Sequence, residues 1–275
     1  MVDPVVTMQW LRDREATSNA EGVDGVVLAD VRWYLDGRSG HEAYLRGHIP
    51  GAVFVDLESC LAGPGGPQAG RHPLPGPEVF AAGMRRSGIS DATTVVAYDD
   101  AGGVIAARLV WMLRVTGHDA ALLDGGIDAY EGPLDDGEVT REPGVFSRVE
   151  WPSDRLVDID DLEGPGLLLL DARDRGRFDG DVEPIDPRRG HIPGARNLPC
   201  RQNLDADGRV LQPAKLRERF EAVGVDDTTN VVSYCGSGVT ACFNLILLEL
   251  AGFPPGRLYP GSWSQYSHAA ERPVA

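Results

Sequence analysis

Cys235 is the residue of this chain that its neighbours best equip for chemistry. It follows the apolar run NVVSY and precedes Gly236, Ser237, Gly238, Val239 and Thr240. An apolar stretch of helical length then closes on Gly252. That order puts the thiol at the carboxyl end of a strand, on the turn into a helix N-terminus, where open α/β sheets bind ligands. Gly236 and Gly238 free the backbone to turn N–H groups inward as an anion nest, and the helix dipole adds partial positive charge there. The setting favours a nucleophilic thiolate over a merely buried small residue. Ser237 and Thr240 bring hydroxyls that can hydrogen-bond the thiolate or a leaving group, and equally can cap the helix.

A cysteine loop built for phosphoryl transfer carries an arginine six residues after the nucleophile, because a dianion needs bidentate charge. Here that position is Ala241, and the loop CGSGVT contains no charge at all. Dianion chemistry is disfavoured, and the charge of a substrate has to be held elsewhere. Cys60, Cys200 and Cys242 show no metal-type spacing, so no metal is expected and all three read as core residues.

The elements that must position this loop come in duplicate. GHIPGA occurs at 47–52 and again at 190–195. Ahead of the copies run GVVLADVR, with Asp30 and Arg32, and GLLLLDAR, with Asp171 and Arg173. Behind them come PEVFAAGMRRSGI and PAKLRERFEAVGV, then TTVVAYD and TTNVVSYC, and finally LLDGGIDAY and LYPGSWSQY. Short β-branched runs alternating with helical periodicity predict an α/β fold: two tandem domains, each a mainly parallel sheet flanked by helices. Residues 1–140 and 152–275 are assigned to them, joined by a polar stretch that contains Gly and Pro. Each Asp-x-Arg is expected to form an ion pair fixing its domain's first strand. His48 and His191 repeat in both halves, which favours a role in the turn. At the place of Cys235 the first half has Asp99.

Among the 275 residues, 42% are hydrophobic and the formal net charge is −16. A phosphate-binding surface must be cationic, so no nucleic-acid or membrane partner is expected. The opening MVDPVVTMQWLRDRE has neither a basic start nor an apolar core, and no apolar run approaches the ~18–20 residues that cross a bilayer. With only four cysteines, a reduced cytoplasmic location is expected.

Paired α/β domains with GHIPGA in each, CGSGVTAC in the second and a GSWSQY tail resemble the tandem-domain rhodanese-like sulfurtransferases over nearly the whole chain. Within that family the uncharged loop is similar to the branch that uses 3-mercaptopyruvate; the thiosulfate-using branch carries basic residues there. The resemblance implies a ping-pong reaction: Cys235 takes sulfur from 3-mercaptopyruvate as a persulfide, pyruvate leaves, and a thiol such as thioredoxin, or cyanide, removes the sulfur. The N–H groups of residues 236–240 would cradle the outer sulfur. No cofactor beyond the covalent persulfide is implied, and the first domain would be catalytically silent. The resemblance also implies that Arg177, in DARDRGRFDG, holds the substrate carboxylate. A second family arginine falls in EPIDPRRG, where Arg188 is preferred over Arg189. His48 would join Ser237 in a proton relay whose aspartate stays open, Asp36 being the nearest. Trp263 reads as packing near the site. The rival readings are a thiosulfate:cyanide sulfurtransferase and a non-catalytic sulfur-carrier or regulatory module.

Overall fold

Alternation of short apolar runs with helical stretches yields two parallel sheets in the computed structural model, which describes residues 1–21 and 25–275. The first half supplies β1 (Val5–Val6), α1 (Met8–Glu21), β2 (Val26–Asp30), α2 (Gly40–Arg46), β3 (Val53–Phe54), α3 (Pro77–Arg86), β4 (Thr94–Tyr98), α4 (Ala107–Val115) and β5 (Ala120–Leu123). Its sheet runs β1-β5-β4-β2-β3, every pair parallel. The second half supplies β6 (Leu167–Asp171), α5 (Arg175–Phe178), β7 (Arg196–Asn197), α6 (Pro213–Ala222), β8 (Asn230–Tyr234), α7 (Ala241–Leu250), β9 (Arg257–Leu258) and α8 (Ser262–Tyr266). Its sheet runs β7-β6-β8-β9, again all parallel. A lone parallel bridge from Leu156 to Leu258 stands where β1 stands in the first sheet.

The duplication extends to the register. Asp30 lies opposite Tyr98 and Asp171 opposite Tyr234, so both central strand pairs end level. β4 and β8 are buried along nearly their whole length, and β-branched residues suit strands covered on both faces. Helices α3 and α6 both begin at a proline, which lacks the N–H that the first turn would leave unpaired.

The Asp-x-Arg pairs act as expected. Arg32 bonds Asp30 at 2.6 Å and the Gly47 carbonyl at 2.7 Å. Arg173 bonds Asp171 at 2.6 Å and the Gly190 carbonyl at 2.8 Å. In each half the guanidinium thus ties the end of a central strand to the residue that opens the HIPGA turn. All four side chains are buried, so each charge needs its partner there.

The compact units depart from a contiguous division of the chain. One comprises residues 1–61, 75–151 and 206–210, the other residues 62–74, 152–205 and 211–275. The segment 62–74, read from sequence as part of the first domain, packs with the second unit. Its anchors are Arg71 N–H to Ser264 Oγ at 2.9 Å and Gln265 Nε2 to the Gln68 carbonyl at 2.6 Å. Gly70, at φ +85°, sits so close to the Gly261 carbonyl that a Cβ would lie 2.5 Å from its oxygen. Conversely, Val210 N–H donates to Asp124 in the first unit at 2.8 Å.

Candidate active site

Strand β8 delivers Cys235 to the carboxyl edge of the second sheet, and α7 starts six residues later. The thiol is 2% exposed. Three bonds to the α8 region fix the turn: Cys235 N–H to Ser262 Oγ at 3.1 Å, Trp263 N–H to the Cys235 carbonyl at 3.0 Å, and Ser264 N–H to the Gly236 carbonyl at 2.8 Å. Gly238 takes φ +79°, and a Cβ there would come within 2.6 Å of the Pro260 carbonyl oxygen, so only glycine fits. That conformation aims the Gly238 N–H at Cys235 Sγ, 3.1 Å away. Val239 is buried, and Thr240 precedes α7 without a side-chain cap. Cys242 donates its thiol to the Gly238 carbonyl at 3.3 Å, which braces the loop from behind.

The first unit has a loop at the same place, one residue longer between Tyr98 and Gly117 than between Tyr234 and Gly252. There the Asp99 carboxylate accepts the N–H groups of Ala101, Gly103, Ile105 and Ala106 at 2.7–2.9 Å. The turn between strand and helix in this fold therefore gathers backbone donors around one anion.

Charge at the second unit's loop comes from outside it. Arg177, on α5, donates to Glu183 at 2.7 Å and to Asp186 at 3.0 Å. Arg71, from the segment 62–74, donates to the other oxygen of Asp186 at 2.9 Å. Arg173 reaches Glu183 at 3.3 Å as well as Asp171. A Cβ built on Gly236 would lie 3.3 Å from both Arg177 Nη1 and Arg71 Nη2, so two guanidiniums stand directly over the glycine that follows the cysteine. Arg71 also lines a cavity of about 270 Å³ together with Asp186, Ser264 and His268.

The imidazole that meets Ser237 is that of His72: Nδ1 and Oγ are 2.8 Å apart, and both residues are buried. His48, read from the sequence as a partner of Ser237, belongs to the first unit. Its ring stacks on Tyr44 at 4.2 Å, and Nδ1 meets the Tyr44 carbonyl at 3.1 Å. His191 repeats this arrangement, stacking on Phe178 at 3.6 Å with Nδ1 2.9 Å from the Phe178 carbonyl. The repeated histidines thus pin each GHIPGA turn to the helix before it. Asp36 is exposed and pairs with Arg38.

Arg188, expected on the substrate, donates to four backbone carbonyls, those of Ser267, Arg272, Tyr266 and Ala269, at 2.7–2.8 Å. Those bonds occupy the guanidinium fork and secure the C-terminal segment. Trp263, fully buried, donates its indole N–H to the Arg188 carbonyl and carries Arg173 on its face at 4.6 Å. Cys200 is buried, which pushes its thiol up to about 12 and keeps it protonated at neutral pH.

The sequence reading missed Arg71 and His72, adjacent in GRHPLPG. A signal was present: the second half has no histidine at the corresponding place after its GHIPGA, and an unrepeated polar residue in a duplicated chain has no turn to build.

A rhodanese-like domain model matches residues 7–132 and 159–269. The chain is 44% identical to a probable 3-mercaptopyruvate sulfurtransferase of Pseudomonas aeruginosa, over 97% of this chain and 98% of that protein. It is 41% identical to a putative thiosulfate sulfurtransferase of Mycobacterium tuberculosis, over 91% of each. Among solved structures, the 3-mercaptopyruvate sulfurtransferase from Leishmania major superposes with a TM-score of 0.85 at 30% identity, covering 98% of this chain and 75% of that one.

Proposed function

The chain belongs to the rhodanese-like domain family, and on that premise we propose that it is a sulfurtransferase that takes sulfur from 3-mercaptopyruvate through Cys235. The two relatives above are named for different donors, so the choice between donors rests on this chain's own charges. One observation carries it: the loop around Cys235 is uncharged, and the guanidiniums beside it are already matched by carboxylates. Arg71, Arg173 and Arg177 face Asp171, Glu183 and Asp186. Such a cluster can accept one carboxylate, whereas thiosulfate brings two negative charges to a site with no surplus cation.

In the proposed first half-reaction, the Cys235 thiolate attacks the sulfur of 3-mercaptopyruvate. The S–S bond forms as the C–S bond breaks, and the electron pair leaves on carbon as the pyruvate enolate. A proton delivered to that carbon gives pyruvate and leaves Cys235 as a persulfide. Ser237, coupled to His72 at 2.8 Å, is the candidate relay for that proton. The Gly238 N–H, already on Sγ, and its neighbours in the loop would support the sulfur anion. In the second half-reaction a thiol such as thioredoxin, or cyanide, attacks the outer sulfur and restores the thiolate. No cofactor enters this scheme. No helix among the described residues is long and apolar enough to cross a membrane; a cytoplasmic site of action is part of the proposal.

The test is a comparison of kcat/KM for 3-mercaptopyruvate and thiosulfate with one acceptor. A clear preference for 3-mercaptopyruvate, with stoichiometric pyruvate, is expected; a preference for thiosulfate overturns the reading. Sustained turnover separates an enzyme from a sulfur carrier, which would give one stoichiometric burst.

A further inference from the structure

We propose that Arg71 is a donor-binding residue, forming with Arg177 a two-guanidinium clamp on the carboxylate of a 3-mercapto-2-oxo acid, with Asp186 setting the spacing of the pair. The inference rests on the donor reading above and adds a residue from the segment 62–74 to that site. Asp186 bridges the two arginines, one carboxylate oxygen to each, at 2.9 Å and 3.0 Å. Its own side chain is 2% exposed, so the bridge is rigidly held. The nitrogens that take no part in these ion pairs, Arg71 Nη2 and Arg177 Nη1, are the two that converge on Gly236. Gly236 follows the nucleophile directly, and its lack of a Cβ lets both guanidiniums approach the backbone beside the thiol.

Two further observations single out Arg71. Its Nε is buried without a hydrogen-bond partner, a cost that a structural arginine such as Arg188 avoids by using its whole fork. Its side chain is 27% exposed, so part of the guanidinium stays open to solvent. Backbone anchors hold it in place, with its own N–H on Ser264 Oγ and neighbouring Gly70 wedged against Gly261. A carboxylate needs a planar fork on each side to be fixed in orientation, and orientation decides whether its sulfur meets Sγ in line.

The experiment uses two donors, 3-mercaptopyruvate and 1-mercaptopropan-2-one, which keeps the ketone and the thiol but lacks the carboxylate. For Arg71→Gln, KM for 3-mercaptopyruvate is expected to rise roughly tenfold to a hundredfold with kcat much less affected, the loss typical of a charged hydrogen bond to bound substrate. With the ketone donor the wild-type protein and the variant should agree within about twofold. Arg71→Lys should fall between, keeping charge without the fork, and it carries the same donor comparison if Arg71→Gln melts early in thermal denaturation. An unchanged KM for 3-mercaptopyruvate, or equal losses with both donors, overturns the clamp. Failure of the wild-type protein to release pyruvate would instead overturn the donor reading on which the clamp stands.

Discussion

The two strand-to-helix loops of this chain are variants of one device in opposite states. In the first unit four N–H groups close on the carboxylate of Asp99, an anion the chain carries itself. In the second the same position is a cysteine, whose sulfur takes the Gly238 N–H. The same loop geometry serves both groups, and the proposed function gives the cysteine at its head the reactive role. Aspartate fills the nest permanently and stabilises the fold; on the proposed function the cysteine loop would instead meet charge that appears only during reaction, the kind of interaction that accelerates chemistry.

Breaking the comparison at its head has the largest expected effect. Cys235→Ser should abolish pyruvate release, and Cys235→Asp should do the same while remaining folded, because it reproduces the first unit's arrangement; circular dichroism and turnover assays check both. A Cys235→Asp protein that releases pyruvate would end the assignment of Cys235 as nucleophile. Next comes the contrast between unrepeated and repeated histidines. His72→Asn should lower kcat roughly a hundredfold or more and flatten its pH profile, as expected for loss of proton transfer. His48→Asn should alter stability with little effect on that profile; equal kinetic losses from the two would refute their division into relay and turn.

Asp99→Ala probes the self-filled nest. It strands four donors, three of them buried, and should destabilise the protein by about 3 kcal/mol or more in urea titrations, with kcat per folded molecule retained. The smallest effect concerns the turns before the central strands. Asp226 accepts bonds from Thr229 and Thr228, which hold its carboxyl below the usual aspartate range, while the corresponding Ser90 cannot ionise. Its contribution is present above the unfolded value and is lost as pH falls through the lower folded one. The stability difference between the wild type and Asp226→Ser should therefore shrink as acid titrations pass below about pH 4; a difference that persists there would remove Asp226 as its source.

Much of the site was legible because it is local. The glycines around Cys235, the absent charge and the strand-to-helix order are neighbours along the chain, and backbone conformation is set over such short spans. The ion pairs of Asp30 with Arg32 and Asp171 with Arg173 lie two residues apart, so their roles could be inferred as well. His48 and Arg188 were harder. GHIPGA advertises a histidine, yet only the stacking on Tyr44 reveals its work; Arg188 is a donor fork whose four carbonyl partners lie about eighty residues ahead.

By itself the sequence determined the duplicated parallel α/β units, the cysteine at the head of one loop and the aspartate at the head of the other, because periodicity and turn chemistry act between near neighbours. Only the tertiary structure decided what surrounds the sulfur. His72 and Arg71 come from a segment of the first half that packs with the second unit, more than 160 residues before the loop they serve. Such a contact depends on which surfaces fit after each sheet has formed, and no local pattern encodes that fit.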